Sequence, residues 1–519
     1  MASGIFLSRI AGLIRERTFA HYFGNSDAGD AFKAALKIPN FLQNLLGEGV
    51  LSASMIPVYA NLRAHGKNDE ADQNVRVIGS ILFLTTSILC LIGIYLAPHL
   101  ISVIAPGFSG EKALLTTQLV RIFFPGISLL VMSAWCLGIL NSHRKFFLSY
   151  VAPVIWNAAI IGTLFYFGHN ALQNDLAIKA AWGLLLGSFL QLLIQSPSTL
   201  KLLIKWRPSL NWKTPSVLLV FRNFFPVVVA RGVVQLSAYI DAMLASLLPT
   251  GAVSALAYAQ TIYLLPVSLF GMSVSAAELP AMSEAKGNPE EIKNYLKKRL
   301  NYGFAQIAFF IVPTVCVFLV FGDLLVASLF QGGQFDRSST QYVWIVLMGS
   351  TVGLLAGTQG RLYASAFYSL KDTRTPLKCA SFRVFLTTIL GYYSARYLPQ
   401  SFSLDPKWGT VGLSASAGLA AWLEFLLLRR FLEEKLGTIR LNRTLALKYW
   451  VSATLAVVFT FLLNQYLQKM ALHIWIQTII GFSLFGVIYI LSNQWMGSNL
   501  IAVSKLNRFR LTRSRMTKN

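Results

Sequence analysis

The sequence predicts an all-α, polytopic membrane protein with fourteen transmembrane helices, in two six-helix lobes followed by two C-terminal helices. Composition gives the first reason: 55% of the 519 residues are hydrophobic and 13% are charged, whereas a soluble protein carries about 25% charged residues. The second reason is the recurrence of apolar stretches near or above the roughly 20 residues that cross a bilayer. The third is a regular alternation of charge in the connections between those stretches.

Fourteen apolar spans follow one another, and no long polar region separates them. Their predicted bounds are 3–24, 28–60, 77–105, 114–140, 149–169, 177–204, 216–248, 253–284, 299–330, 340–369, 376–398, 409–433, 446–467 and 472–492. We therefore expect a membrane-embedded helical bundle without a separate soluble domain.

Connections after odd-numbered spans are short and poor in cations, whereas those after even-numbered spans are basic. The basic positions are Arg63, Lys67 and Arg76; Arg144 and Lys145; Lys205, Arg207 and Lys213; Lys286, Lys293, Lys297, Lys298 and Arg299; Lys371, Arg374 and Lys378; and Arg429, Arg430, Lys435, Arg440 and Arg443. Lysine and arginine mark cytoplasmic loops, so we expect both termini and every basic loop in the cytoplasm. This topology accounts for the net charge of +24, and we expect no nucleic-acid partner.

A weak internal repeat divides the spans into two halves. Pro39 and Pro266 lie 227 residues apart in spans 2 and 8, and Ser142 and Ser369 lie 227 residues apart at the ends of spans 4 and 10. Equal phases indicate parallel repeats about an axis along the membrane normal. The predicted domains are an N-lobe at 1–210, a C-lobe at 211–437, a helix pair at 438–495 and a basic cytoplasmic tail at 496–519.

The first span carries charge where a membrane helix is normally apolar. It contains Arg9, Arg15, Glu16 and Arg17, and at about 1.5 Å per residue Arg9 and Arg15 fall within roughly 7 Å of its middle. An arginine at that depth costs about 2.5–3.5 kcal/mol even on the lenient insertion scale. These side chains must therefore face water, a protein interior or an anionic ligand. The alternative, an amphipathic helix lying on the membrane surface, is disfavoured because apolar residues surround most of the helix.

The second span is also charged, and it is interrupted. It contains Asp30 and Lys37, then Pro39, and then Gly47-Glu48-Gly49. Interrupted helices with polar residues line the substrate cavities of membrane transporters. We therefore predict that this span borders such a cavity.

The second half of the chain has intramembrane charges of its own. Arg231 lies in span 7 and Arg361 in span 10, while Asp241, Glu278 and Glu424 are acidic positions in spans 7, 8 and 12. A structural ion pair, or a place near a helix end, is the alternative for each, above all for Glu278 and Glu424. When span 1 is counted as well, cations outnumber anions at the deepest positions, which favours an anionic, phosphorylated substrate.

No motif for ATP hydrolysis or covalent catalysis occurs in the sequence. GxxxxGK[ST], HExxH and GxSxG are absent, the six histidines are scattered, and the four cysteines stand singly. We therefore expect a transporter rather than an enzyme, without a cofactor, and the coupling ion is left open.

Several short segments form a recognisable pattern along the chain. They are Ser8-Arg9-Ile10-Ala11-Gly12-Leu13-Ile14-Arg15-Glu16, Asp30-Ala31-Phe32, Lys37-Ile38-Pro39-Asn40, Gly47-Glu48-Gly49, Ala105-Pro106-Gly107-Phe108, Ser328-Leu329-Phe330-Gln331-Gly332-Gly333, and Phe367-Tyr368-Ser369 with Thr375-Pro376. This pattern resembles the MurJ (MviN) family of lipid II flippases, in the multidrug/oligosaccharidyl-lipid/polysaccharide exporter superfamily. The resemblance covers spans 1–12 and is most specific in residues 8–57.

The resemblance implies a function in the bacterial cytoplasmic membrane. The family moves lipid II, an undecaprenyl-pyrophosphate-linked peptidoglycan precursor, from the inner to the outer leaflet by alternating access. Its spans 13 and 14 form a groove for the prenyl tail. Lipid II and membrane lipids are thus the implied partners, and we expect a monomer. The substrate-binding residues implied or inferred are Arg9, Arg15, Glu16, Asp30, Glu48, Arg231 and Arg361.

The chain departs from the family pattern at a few positions. Glu16 stands where an aspartate is usual, and Gln43 and Asn44 replace an arginine pair of some members. Thr261 replaces an arginine of span 8 that helps to bind the pyrophosphate, and we hypothesise that Arg231 supplies the missing cation. The chain also begins a few residues later than is usual, which leaves the completeness of its N-terminus open.

Two other functions remain open from the sequence. A cation-coupled drug antiporter of the same superfamily would need a carboxylate-lined cavity, and the arginines of span 1 argue against one. A non-transporting membrane scaffold for wall synthesis would need no charged cavity.

Overall fold

The computed structural model of the chain describes residues 2–169, 171–203, 208–439, 442–470 and 472–498. The side chains of residues 2–5, 48, 146, 229–231, 233, 234 and 236–238 are outside this description. The predicted basic tail at 496–519 therefore lies outside the described residues except for its first three positions, as do Lys205, Arg207 and Arg440.

The described chain is all-helical, and an isolated bridge between Gly332 and Phe335 is the only β pairing found in it. A π-helical turn, Val267–Met272, lies between α9 and α10. The helices are α1 (Ala2–Phe23), α2 (Asp27–Leu46), α3 (Glu48–Ala64), α4 (Asn68–Ile104), α5 (Gly110–Ser142), α6 (Phe146–Phe167), α7 (Gln173–Leu200), α8 (Pro215–Ser246), α9 (Ala252–Pro266), α10 (Ser273–Ser283), α11 (Pro289–Val320), α12 (Gly322–Phe330), α13 (Arg337–Thr351), α14 (Leu354–Ser369), α15 (Arg374–Arg396), α16 (Leu398–Ser401), α17 (Trp408–Leu436), α18 (Arg443–Lys469) and α19 (Ile474–Trp495).

The predicted class of all-α membrane protein is confirmed. Among the described residues, nine helices are long and apolar enough to cross a membrane, or ten if α13 and α14, which are bent by 42°, form one span. Helices also occupy the other four predicted spans, as α1, α2 with α3, α8 and α15. However, α1, α2 and α15 carry several charges, and α3 has only 17 residues. The count of fourteen transmembrane helices therefore stays a prediction.

Span 2 is broken at a glycine rather than at a proline. Gly47 separates α2 from α3, whereas Pro39 and Pro57 stay inside these helices. A Cβ atom at position 47 would lie 2.3 Å from the carbonyl oxygen of Gln43, so only glycine fits this break. In span 8 the proline does matter, since Pro266 ends α9 and the π-helical turn follows at once. Proline cannot donate a backbone hydrogen bond, and π-helical turns accommodate such local defects.

Two helices begin well before their predicted spans. The 37 residues of α4 extend about 56 Å at about 1.5 Å per residue, which exceeds the roughly 30 Å hydrocarbon core of a bilayer. In α11, Asn288 accepts from the backbone N–H of Glu291, and the Glu291 side chain accepts from the N–H of Asn288. This reciprocal capping satisfies otherwise unpaired N–H groups and fixes the start of the helix.

The chain divides into two compact units, the first being Met1–Ser254 with Gly332–Asp336 and the second Ala255–Gln331 with Arg337–Asn519. In the first unit, α5 is largely buried and contacts α2, α3, α4 and α7, while α8 packs against α2, α3 and α4. In the second unit, α17 packs against α13, α14 and α15, and α18 and α19 pack together beside α11 and α12. The lobes predicted from the repeat, with a boundary at residue 210, stay a prediction.

Candidate functional site

Two cations share one buried carboxylate in the first unit. A guanidinium nitrogen of Arg15 donates to Oε1 of Glu16 at 2.7 Å, and the ammonium of Lys33 donates to Oε2 of the same carboxylate. The side chains of Lys33, Glu16 and Arg15 are 8%, 11% and 21% exposed. Glu16 therefore joins α1 to α2 through an ion pair that is largely removed from solvent.

Aromatic rings support both cations. The Arg15 guanidinium carbon lies 4.9 Å from the ring centroid of Trp156 on α6, and the Lys33 ammonium lies 4.4 Å from that of Phe19 on α1. The face of an aromatic ring attracts a cation by about 0.5–2 kcal/mol, more when the pair is desolvated. The rings thus hold the cations in place even where the carboxylate is engaged elsewhere.

The charged group continues along α2 toward α8. Lys37 lies one helical turn beyond Lys33 and is half-buried, and the carboxylate of Asp241 on α8 attracts it. The hydroxyl of Tyr239 on α8 donates to the carbonyl oxygen of Lys37. Arg15, Glu16, Lys33 and Lys37 are called the cationic cluster below.

Asp30 occupies a different environment from the cationic cluster. Its side chain is 1% exposed, and its Oδ2 accepts from the ammonium of Lys112 and from the backbone N–H of Gly251, both at 2.8 Å. Oδ1 accepts from the backbone N–H of Ser254, also at 2.8 Å. Through these contacts the N-terminal end of α2 is attached to α5 and to the segment that precedes residue 255. This arrangement favours a role of Asp30 in positioning α2.

Asp27 adds a more exposed contact to the same group. It accepts from Lys112 and from the hydroxyl of Thr250, both at 2.8 Å. Burial by itself would raise the pKa of Asp27, but the hydrogen bonds from Lys112 and Thr250 and the charge of Lys112 outweigh it and lower that pKa. Asp27 therefore stays ionised at neutral pH, and its contacts add to those of Asp30 that hold the start of α2 in place.

Four further predicted site residues are Arg9, Glu48, Arg231 and Arg361. Arg9 is exposed on α1, and the side chains of Glu48 and Arg231 lie outside the described residues. Arg361 is exposed on α14 in the second unit, where Arg383, Tyr263 and Glu424 act on it electrostatically. A nitrogen of Arg383 donates to Glu424 at 3.1 Å. The second unit thus has its own polar group, centred on Arg361.

Two of these cations, Lys33 and Arg383, are not among the site residues predicted from the sequence. Lys33 follows Asp30 by three residues and precedes Lys37 by four, so helical spacing could have placed it on the same face of α2. Glu278, by contrast, forms two hydrogen bonds with Arg299, at 2.7 Å and 2.9 Å. A structural ion pair was the expected alternative for that residue.

Among the described residues, no three His, Cys, Asp or Glu side chains converge as a metal site. Nine or ten described helices of membrane length, together with an arginine and a lysine held between α1 and α2, define the class: a multi-pass membrane transporter suited to an anionic substrate.

Comparison with known proteins gives the particular family. The family model described as "Lipid II flippase MurJ" matches residues 19–481. The chain therefore belongs to the lipid II flippase MurJ family, a family of transporters that handle lipid II in membranes, and the predicted family is confirmed.

Individual relatives agree with this assignment. The lipid II flippase MurJ of Burkholderia cenocepacia is 30% identical over 428 residues, which cover 81% of this chain and 80% of that protein. The probable lipid II flippase MurJ of Buchnera aphidicola subsp. Schizaphis graminum is 27% identical over 506 residues, 96% of each chain.

Solved structures share the fold. A lipid II flippase MurJ in an inward closed conformation aligns with a TM-score of 0.76 and 24% identity, covering 95% of this chain and 99% of the other. An inward-facing multidrug resistance transporter of the MATE family aligns with a TM-score of 0.65 and 16% identity, covering 83% and 96%. The chain thus shares its fold with both transporters, and the family match favours the flippase over the drug antiporter.

Proposed function

We propose that this chain carries lipid II from the inner to the outer leaflet of the bacterial cytoplasmic membrane by alternating access. The observation that carries the proposal, besides family membership, is the pair of cations that Glu16 holds between α1 and α2. Arginine binds phosphate oxygens through two parallel hydrogen bonds, and lysine binds them as a point charge. Arg15 and Lys33 therefore provide the two kinds of contact that a pyrophosphate needs.

In the proposed binding step, the pyrophosphate takes the place of the Glu16 carboxylate. Arg15 and Lys33 keep their aromatic supports at Trp156 and Phe19 while their hydrogen bonds move to phosphate oxygens. Since one anion replaces another, the cations keep a counter-charge in a medium of low polarity, and the displaced Glu16 carboxylate has to reach water or take up a proton. When no substrate is bound, Glu16 thus provides the negative charge that the pyrophosphate provides in the bound state.

The other predicted residues have separate roles in this proposal. Arg9, which is exposed, contacts the substrate in an early encounter, and Arg361 contributes from the second unit. Asp30 positions α2 through its buried hydrogen bonds. Glu48 and Arg231 are proposed on sequence grounds alone, Arg231 as the replacement for the arginine missing at Thr261. Intact transport by Arg231→Ala, with transport abolished by Arg15→Ala, would contradict that replacement.

Helix breaks provide the points at which the helices bend during transport. Gly47 separates α2 from α3, and the π-helical turn Val267–Met272 follows α9. Sharp bends in helices occur at such sites, because the regular hydrogen bonding is already interrupted there. We therefore place the flexing positions of alternating access at these two breaks.

Energy for the cycle comes from an ion gradient or the membrane potential in this proposal, since the sequence has no P-loop motif. Each elementary charge that crosses about 100 mV is worth about 2.3 kcal/mol. An inside-negative potential draws cations inward. The membrane potential would therefore return a binding site with excess positive charge to the inner side of the membrane. Flipping that is independent of voltage in vesicles would contradict this step.

The topology of the proposal follows from the charge pattern of the sequence, and its tail groove from the resemblance to the family. Both termini and all basic loops lie in the cytoplasm, residues 438–495 form the groove for the prenyl tail, and the chain works as a monomer without nucleic acid. The N-lobe at 1–210 and the C-lobe at 211–437 are the two moving halves.

Replacement of the essential flippase in a bacterial host tests the function. We expect wild type to restore growth, and Arg15→Ala to fail at equal expression and membrane insertion. Failure of a correctly inserted wild type would redirect the proposal to another lipid-linked substrate or to a scaffold that does not transport.

A further inference from the structure

An apolar cavity lies in the first unit, beside the Lys37 end of the cationic cluster. It has a volume of about 460 Å³ and is bounded by α2, α4, α5 and α8. Among its lining residues are Phe41, Leu89, Ile92, Leu96, Phe124 and Met243. It is called the α4 cavity below, because α4 contributes the largest part of its wall.

The lining of the α4 cavity offers no hydrogen bond to a ligand. Tyr239 is its only residue with a hydroxyl, amide or charged side chain, and that hydroxyl already donates to the carbonyl oxygen of Lys37. A polar headgroup inside the cavity would lose its hydrogen bonds to water without replacement, at a cost of several kcal/mol. The part of a ligand that fits here is therefore hydrocarbon.

The mouth of the cavity is continuous with the lipid-facing surface of the protein. Ile92, Leu96 and Val103 line it and are 47%, 37% and 66% exposed. They lie on α4, which is one of the helices long and apolar enough to cross a membrane. An exposed apolar face of such a helix borders the hydrocarbon core, so the cavity opens into lipid tails rather than into water.

The size of the cavity fits a single acyl chain. Its wall on α4 runs from Leu89 to Ile104, about 22 Å at about 1.5 Å per residue, while one leaflet of a bilayer core is about 15 Å deep. A volume of 460 Å³ holds roughly fifteen groups the size of a water molecule, at about 30 Å³ each. A phospholipid acyl chain, which spans one leaflet, fits within this length and volume, whereas the much longer undecaprenyl tail exceeds them.

The inner wall of the cavity is tightly closed. A Cβ atom at Gly93 would lie 2.0 Å from a ring carbon of Phe124, so α4 and α5 meet there without space for a side chain. The cavity lies near the connection at 105–109, where Gly107 donates its backbone N–H to the hydroxyl of Ser246 at 3.3 Å. The proposed topology places this end on the outer side of the membrane.

We propose that the α4 cavity binds one acyl chain of an outer-leaflet phospholipid, seated between α4 and α8 beside the Pro39 turn of α2. This site adjoins the Lys37 end of the cationic cluster through Tyr239, but its lining differs from that of the cluster and the proposal does not depend on the transported substrate. The chain fills space that would otherwise be a void between these helices, and voids of this kind destabilise a packed structure.

Photolabelling tests the proposal. The probe is a phospholipid with a diazirine in the middle of one acyl chain, included in vesicles of phosphatidylethanolamine and phosphatidylglycerol that hold the full-length chain. We expect label to concentrate on peptides containing 89–104 and 239–243. Ile92→Trp, which fills the mouth, should lower that labelling about tenfold, the effect of displacing about two methylene groups.

The matched control is Leu91→Trp, on the same helix but outside the cavity lining and 69% exposed. Its labelling should stay close to wild type. If Ile92→Trp is not monodisperse after purification, Leu96→Phe takes its place. Equal labelling of all variants, or label spread evenly over the exposed face of α4, would overturn the site. Displacement of the phospholipid label by a prenyl-phosphate competitor would overturn the assignment to an acyl chain.

Discussion

Glu16 of α1 and Lys33 of α2 form a buried ion pair, and the second oxygen of the same carboxylate binds Arg15. One acidic side chain thus holds two cations from different helices. Removing one partner of a buried pair costs about 3–5 kcal/mol, because the other charge is left uncompensated. An incoming phosphate would give both cations a new counter-charge, so the cost would fall on the displaced Glu16 carboxylate, which would have to reach water or take up a proton.

Lys33→Met should weaken both folding and transport. Glu16 would lose one of its two cations, and the substrate would lose its lysine contact. We expect a loss of about 3 kcal/mol in unfolding free energy and loss of growth rescue, with partial rescue by Lys33→Arg. Thermal unfolding in detergent and replacement of the host flippase measure these effects.

Lys67→Met is the matched control for this prediction. Lys67 is 63% exposed and forms a 3.7 Å surface pair with Glu70, which is worth about 0–1 kcal/mol. Full rescue by Lys33→Met at wild-type stability would contradict the proposed part of Lys33 in the site.

Asp30→Asn should destabilise the first unit. The amide keeps the shape of the side chain but loses one acceptor oxygen and the negative charge that Lys112 and two backbone N–H groups require. A hydrogen bond to a charged group contributes about 1.5–3 kcal/mol, so we expect a loss near 3 kcal/mol. Asp27→Asn is the comparison: its side chain is 59% exposed, and the loss should stay below about 1 kcal/mol. Equal melting temperatures for the two variants would argue against the anchoring role of Asp30.

Gly107→Ala should disturb the connection between α4 and α5. An added Cβ atom would lie 2.0 Å from the carbonyl oxygen of Ser246, so the backbone must move. Overpacking of this kind costs about 1–3 kcal/mol. Gly162→Ala is the control, because nothing lies within 4 Å of its Cβ position and alanine favours the helix by about 0.5–1 kcal/mol. A melting temperature unchanged by Gly107→Ala would show that the connection adapts freely.

Asp372 gives a prediction for the pH dependence of stability. Hydrogen bonds from Lys435 and from the backbone and hydroxyl of Thr375 hold the pKa of this carboxyl well below its usual range. A depressed folded-state pKa contributes stability that is fully present above the unfolded value of about 3.9 and is lost as the pH falls through the folded value.

We therefore expect Asp372→Asn to melt below wild type by a constant difference from pH 8 to pH 6. That difference should shrink only below about pH 4, as the wild-type carboxyl becomes protonated. Melting curves of both proteins over this range provide the measurement. A difference that closes between pH 8 and pH 6 would assign the effect to another group.

The sequence predicts well what depends on composition and local pattern. The membrane class, the charged first span with Arg15 and Glu16, and the interruption of span 2 near Gly47 all follow from residues close together in the chain. The capping pattern of Asn288 and Glu291 is equally local and would have given the true start of α11.

Contacts between distant residues could not be predicted in this way. Asp30 accepts a hydrogen bond from the backbone N–H of Gly251, which lies 221 positions further along the chain. Arg383 donates one to Glu424, 41 positions further along. Helical periodicity gives the face on which a side chain lies, but not the helix that packs against it. For this reason the sequence indicates Asp30 only as a cavity charge and gives no partner for Arg383, whereas the spacing of Lys33 from Asp30 and Lys37 gives its face on α2 but not its pairing with Glu16.

The most direct test measures lipid II in the outer leaflet of cells depleted of their own flippase. The cells express wild type, Arg15→Ala or Arg15→Lys at matched levels in the membrane. We expect wild type to restore lipid II in the outer leaflet and Arg15→Ala to leave it at the depleted level. Arg15→Lys should give an intermediate level, because lysine keeps the charge without the bidentate geometry. Wild-type levels of exposed lipid II with Arg15→Ala would contradict a substrate site built on this cation.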